Sequence, residues 1–167
     1  FNHNDMNHLR ARLEKSTAQH KLIISEGVFS MDGDKAPLSE LLALAKQHNA
    51  WLMIDDAHGF GVLGKTGLGS CEALNTEQLP ELLVITFGKA VASSGACVLG
   101  SKHFIDYMLQ FNRDYTYSTA MSPLIAGLTL ARIKAIKTAD DKRAKLNANI
   151  SYFKQLAKQH NIAVMES

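Results

Sequence analysis

Two cysteines, three prolines and one tryptophan are all that 167 residues contain of those types. Cys71 and Cys97 show neither C-x-x-C nor zinc spacing, so the pattern offers no disulfide framework and no metal centre. They read as free thiols of a reducing compartment, the cytoplasm. Charge of one sign is missing too. Lys+Arg is 18 against 16 for Asp+Glu, a net of +2, which gives no basic excess for nucleic acid or an acidic membrane surface. No apolar run reaches the roughly 18 residues of a membrane span. Internal repeats and low-complexity stretches are absent. Seven histidines are scattered, with no H-E-x-x-H; those at 8, 20, 48 and 160 lie on polar stretches and read as surface residues. What is present is globular: 46% hydrophobic and 20% charged residues, which excludes a disordered tail.

At about 100–200 residues per domain, the chain is one domain or a piece of a larger one. It starts at Phe1, and residues 162–165 read as the first half of a strand. The expectation is therefore an internal segment of a longer protein.

Met6, Leu9 and Leu13 recur at helical spacing, so residues 5–16 read as an amphipathic helix. Residues 21–25, 51–55, 82–87 and 96–99 are short apolar runs and read as strands. Between the first two, Pro37 opens a helix whose Leu38, Leu41, Leu42 and Ala45 share one face. Asp32-Gly33-Asp34 marks a turn of solvated acids. Residues 101–111, 123–137 and 140–160 read as helices, the last with Leu146, Ile150, Phe153 and Ala157 on one stripe. Continuous apolar strands predict burial on both faces, and a helix between two of them predicts a parallel crossover. The fold class is thus α/β, a three-layer sandwich with a mostly parallel sheet. The two long final helices break the alternation. Residues 1–120 then belong to a large α/β domain, and residues 121–167 lead towards a second domain.

Residues 59–70 hold five glycines in twelve positions. Gly59-Phe-Gly61-Val-Leu-Gly64 matches G-x-G-x-x-G, and residues 59–66 match the P-loop pattern. Both patterns need a helix to start at the motif, so that its free amides grip phosphate. Gly67-Leu68-Gly69-Ser70 follows instead, and each glycine costs a helix about 1 kcal/mol relative to alanine. The strand at 82–87 carries no acid for magnesium, and Glu81 begins that strand where a Rossmann acid should end one. A P-loop nucleotide binder remains as a distant alternative reading.

Three features fall at the ends of successive strands: Asp55, with His58 three residues on, and Thr86-Phe87-Gly88-Lys89. In open α/β sheets, ligands sit beyond the carboxyl ends of the strands. A lysine among small residues (Gly88, Ala90, Ala92) suits Schiff-base chemistry, and a nearby Asp suits a pyridinium nitrogen. These are the levers a protein has on pyridoxal phosphate. Taken singly, each residue reads as a loop cap or a solvated side chain; it is the combination that points to chemistry.

The motifs Glu26-Gly-Val-Phe-Ser-Met-Asp-Gly-Asp34, Asp55-Asp-Ala-His-Gly-Phe-Gly-Val-Leu-Gly64, Thr86-Phe-Gly-Lys-Ala90 and Tyr117-Ser-Thr119 resemble those of the α-oxoamine synthases. These are pyridoxal-phosphate enzymes of the aspartate-aminotransferase fold. Together with Ser94-Gly-Ala-Cys-Val98, the wording most resembles the members that join L-alanine to a pimeloyl thioester, on CoA or a carrier protein, in biotin synthesis. Other members take glycine or serine with a different acyl-CoA. The resemblance implies that Lys89 bonds the cofactor and moves the substrate Cα proton. It implies that Asp55 pairs with the pyridine nitrogen and His58 bonds the phenolic oxygen. Ser30 would lie near the cofactor and Thr86 near its phosphate. Ser118 or Thr119 would reach the phosphate of a neighbouring subunit, which implies a homodimer with shared sites. Ala92 departs from the family, where glycine is common. The resemblance also implies further cofactor contacts before Phe1 and a substrate-carboxylate arginine after Ser167. The isolated 167 residues are thus expected to be inactive, with bare apolar faces; a family member serving only as a partner surface is the rival reading.

Overall fold

The computed structural model describes residues 1–74 and 79–165. Ten-residue helix α1 (Met6–Lys15) begins where the Asp5 side chain accepts the His8 amide at 2.8 Å, satisfying one of the free N–H groups of a helix start. Strand β1 (Leu22–Glu26) follows, then α2 (Leu38–Gln47) and β2 (Trp51–Asp55). A one-turn 3₁₀ helix (Ser70–Ala73) leads to β3 (Leu82–Thr86) and β4 (Ala96–Gly100). Then come α3 (Lys102–Phe111), capped by Ser101, the short α4 (Arg113–Thr116), α5 (Pro123–Ile136) and α6 (Asp140–Gln159). The one-turn α4 has no counterpart in the sequence reading, because four residues carry no periodicity.

The sheet order is β1-β2-β3-β4, with β1, β2 and β3 parallel and β4 antiparallel to β3. The crossover through α2 places α1 and α2 on one face of the sheet. Their Leu9, Leu13, Leu38, Leu41, Leu44 and Ala45 pack with Ile23, Leu52 and Ile54. Leu41, Leu52 and Ile54 are fully buried, a contribution of about 1.5–3 kcal/mol each. On α2 it is Leu44 that is buried, while Leu42 packs half-buried at the margin of the core. A second cluster joins Phe60, Ile85, Phe87, Val91 and Ile136 of α5.

Burial of the strands on both faces does not hold in this chain. Leu22, Ile24 and Trp51 on the opposite face are each about half exposed. Side chains alternate along a strand, and only one face has α1 and α2 against it. On the other, α3 reaches Trp51 through Phe104, rings 5.7 Å apart. The α6 stripe is likewise largely exposed: Leu146, Ile150 and Phe153 lie open, and only Ala157 is buried. Residues 162–165 are irregular, not strand, since no described strand pairs with them. The bare apolar faces expected of the segment are therefore present. No helix among the described residues is long and apolar enough to cross a membrane.

Candidate active site at the strand ends

Parallel pairing aligns the carboxyl ends of β1, β2 and β3. Glu26 stands opposite Asp55, and Asp55 opposite Val84. Thr86 is two residues beyond Val84, so Asp55 and Thr86 lie on the same face of the sheet, opposite the α1–α2 core. The chain leaves β2 in a tight turn: the Asp55 carboxylate accepts the Ala57 amide at 2.9 Å, and the Asp56 amide donates to Val84 O at 2.8 Å. This turn carries His58 towards the loop after β3. There, Nζ of Lys89 lies 2.8 Å from Nε2 of His58. The loop itself is held from behind. The Ala92 amide donates to Lys89 O, the Ser93 amide to Phe87 O, and Ser93 Oγ meets Thr129 Oγ1 of α5 at 2.7 Å.

Thr86 Oγ1 is buried without a hydrogen-bond partner. A buried hydroxyl left this way costs about 1–3 kcal/mol, so its place at the strand ends needs an explanation. Of the sequence-derived site residues, His58 and Lys89 are in direct contact, and Asp55 and Thr86 share the adjacent sheet face. Ser30 is exposed on the β1–α2 connection, which closes through the Val28–Lys35 bridge. Ser118 and Thr119 are exposed after α4, with the Ser118 hydroxyl donating to Asp114 O. These three make no contact with the strand-end group.

The glycine loop is not a phosphate cradle. Its Thr66 and Leu68 amides donate to Glu72 at 2.8 and 2.9 Å. Burial opposes the charge of Glu72, but these amide bonds outweigh it and hold the carboxyl below its ordinary range. The loop also bonds to itself, Gly61 N to Gly67 O and Gly69 N to Leu63 O. No α-helix follows it, so its amides serve the protein's own carboxylate and carbonyls. Glu81, the would-be Rossmann acid, accepts the Leu52 amide at 2.7 Å.

Other polar residues read as surface are more engaged than their neighbours in sequence suggest. His8 Nδ1 accepts the Asn2 amide, and His48 Nε2 is buried unpartnered. Asp34 is no solvated turn acid: it accepts from Asn4 at 2.8 Å and meets His3 at 2.7 Å. Cys71 and Cys97 are free thiols. Burial, with the Asp56 charge nearby, pushes Cys71 up to about 11, which makes it a packing residue and not a nucleophile.

The family model for aminotransferase class I and II matches residues 1–167. The chain belongs to that family. It is 47% identical to the 8-amino-7-oxononanoate synthase of Saccharophagus degradans over all of its own length and 42% of that protein's. The chain thus spans about two fifths of the curated relatives it matches. Among solved structures, the serine palmitoyltransferase SPT with a PLP internal aldimine superposes with a TM-score of 0.83 at 34% identity, covering 88% of this chain and 37% of that one. An 8-amino-7-oxononanoate synthase from Francisella tularensis gives 0.82 at 30%, covering 98% and 47%. Both likenesses bear out the α/β, mostly parallel fold class. The family relationship bears out the resemblance carried by the four motifs.

Asp56, Ser70 and Glu72 were not among the sequence-derived site residues. Their only signal was position: an acid directly after Asp55, and a polar pair closing the glycine loop.

Proposed function

We propose that this chain carries the lysine-bearing part of a pyridoxal-phosphate-dependent C-acyltransferase, an 8-amino-7-oxononanoate synthase. The reaction joins Cα of L-alanine to the acyl carbon of a pimeloyl thioester, on CoA or a carrier protein. The thiol leaves and the alanine carboxylate departs as carbon dioxide. The observation that carries the reading is the Lys89–His58 contact at the strand ends, in a chain 47% identical to a synthase of that name. The donor set fits the cofactor. The orphan Thr86 hydroxyl supplies a donor for a phosphate oxygen, and Asp55 supplies an anion for a protonated ring nitrogen.

Bound there, pyridoxal phosphate supplies an aldehyde for amines and a ring that takes up the electron pair left on carbon. Lys89 is the amine that holds the cofactor at rest and then moves the proton at the substrate Cα. His58 accepts a hydrogen bond from Nζ and would keep the amine aimed at the site; it also faces the phenolic oxygen. Asp55 keeps the ring-nitrogen proton in place, so charge is stabilised where it develops. Ser30 would close the site from the β1–α2 connection.

The full protein works as a homodimer in this reading, with Ser118 or Thr119 reaching the partner's cofactor phosphate. Exposed Tyr107, Phe111, Tyr115 and Tyr117 beside them supply apolar area for such an interface. Residues 1–120 form part of the cofactor domain, and residues 121–167 lead to a smaller one. The free thiols support a cytoplasmic setting.

The test is reductive trapping of the full chain with pyridoxal phosphate and borohydride, followed by peptide mass mapping and product analysis. One adduct, on Lys89, and a product from L-alanine with pimeloyl thioester but not from glycine or serine are expected. Adducts spread over surface lysines, or preference for another amino acid, would overturn the reading.

A further inference from the structure

Asp56 is fully buried, a rare place for a carboxylate without a cation against it. Its two oxygens are used on one residue. Oδ1 accepts the Ser70 hydroxyl at 2.6 Å, and Oδ2 accepts the Ser70 amide at 2.9 Å. Its backbone is used as fully: the amide donates to Val84 O of β3, and the carbonyl accepts the Gly59 and Phe60 amides. Three stretches of main chain close around the carboxylate so tightly that a Cβ at Gly27, Gly59 or Gly69 would collide with it. Gly69 also sits at φ +93°, which side-chain-bearing residues rarely adopt. Asp56 therefore joins the end of β1, the β2 exit turn and the far end of the glycine loop at a single point.

That point lies between the residues of the proposed site: Asp55 precedes it, and His58 is two residues on. The loop it anchors returns to the lysine side. Phe60 packs in the same cluster as Phe87 and Val91, which flank Lys89, and a Cβ at Gly61 would meet Ala90 at 2.8 Å. The loop is thus a strut with one end clamped by Asp56 and its middle pressed on the Lys89 loop.

We propose that Asp56, through its double hydrogen bond to Ser70, is the positioning residue that holds His58 against Lys89. It acts through the strut and touches no reacting atom. The proposal rests on the reading of Lys89 as the cofactor lysine. It gives the glycine loop its purpose: close main-chain packing around a buried acid, in place of a grip on phosphate.

The experiment uses the full chain. The initial rate of labelling of Lys89 by pyridoxal phosphate, trapped with cyanoborohydride and counted by peptide mapping, is measured between about pH 6 and pH 9, where histidine and lysine environments report. Melting temperature is recorded alongside. Asp56→Asn keeps the clamp, its amide donating to the Ser70 hydroxyl while its oxygen accepts the Ser70 amide; it should leave the labelling profile in place. Ser70→Ala removes the hydroxyl alone and should move the profile midpoint by at least about half a pH unit, and Ser70→Thr should restore it. Asp56→Ala should act like Ser70→Ala and more strongly. If Ser70→Ala lowers the melting temperature but its profile superposes on the parent's, Asp56 is a packing residue and the proposal is wrong. If the parent chain itself labels elsewhere than at Lys89, the failure lies with the cofactor reading.

Discussion

Nζ of Lys89 and Nε2 of His58 are 2.8 Å apart, although 31 positions separate them in the chain. The contact exists because β2 and β3 are parallel neighbours, so that both residues follow strands ending at one level. If these two act together on the substrate proton, their losses should not be additive. Lys89→Ala is expected to abolish trapping at that position and to lower turnover of the full chain by at least about a hundredfold, the scale of general acid–base catalysis. His58→Ala should lower kcat less on its own and add little to Lys89→Ala. Steady-state kinetics of the two single variants and the double variant check this; full additivity would show that the contact is incidental.

Thr86 gives a prediction with two opposite signs. Its buried hydroxyl has no partner. Thr86→Val keeps the shape and removes the orphan group, so the cofactor-free protein should gain about 1 kcal/mol. Cofactor binding should weaken about tenfold, one lost hydrogen bond to a charged group. Thermal melting and a cofactor titration on the same variant decide it. An unchanged affinity would remove Thr86 from the phosphate-binding set.

Burial raises the Asp56 carboxyl above its ordinary 3.8, the Asp55 charge adds to this, and the Ser70 bonds only partly offset it. The sign follows from linkage. Below the unfolded value both states are protonated and nothing is lost. As pH rises towards and through the raised folded value, the ionised form must be buried and stability falls. Asp56→Asn should remove that component, giving a flatter stability curve above about pH 4 and a melting temperature at neutral pH no lower than the parent's. Denaturant unfolding across the range tests it, and a steeper fall in the variant would contradict the assigned direction.

Ala92 holds φ +52° in the turn that follows Lys89, a left-handed conformation costing an L-residue about 1–2 kcal/mol. Glycine, common there among α-oxoamine synthases, avoids that cost but adds freedom to the unfolded chain. Ala92→Gly should therefore stabilise by about 0.5–1 kcal/mol and leave Lys89 labelling unchanged. Chemical denaturation supplies the measurement, and a destabilised variant would mean that the methyl packs to advantage.

Much of the framework was legible in the residues themselves. Strand β2 runs from Trp51 to Asp55 as its apolar run predicts, Asp5 and Ser101 cap their helices, and Pro37 stands just before α2. Such features depend on neighbours a few residues away, so the local pattern determines them. Lys89, His58 and Asp55 could be picked out for the same reason: each follows a recognisable strand. Tertiary structure decided the rest. The antiparallel entry of β4 and the exposure of Leu22, Ile24 and Trp51 depend on which element lies alongside. Apolar residues read alike whether they face a helix or solvent. The same limit hid Asp56. An acid beside Asp55 looks solvated in sequence, and only the closing of the glycine loop through Ser70 buries it. A hydrogen bond across 14 positions leaves no periodicity behind, because it is fixed by the path of the folded chain and not by the spacing of its residues.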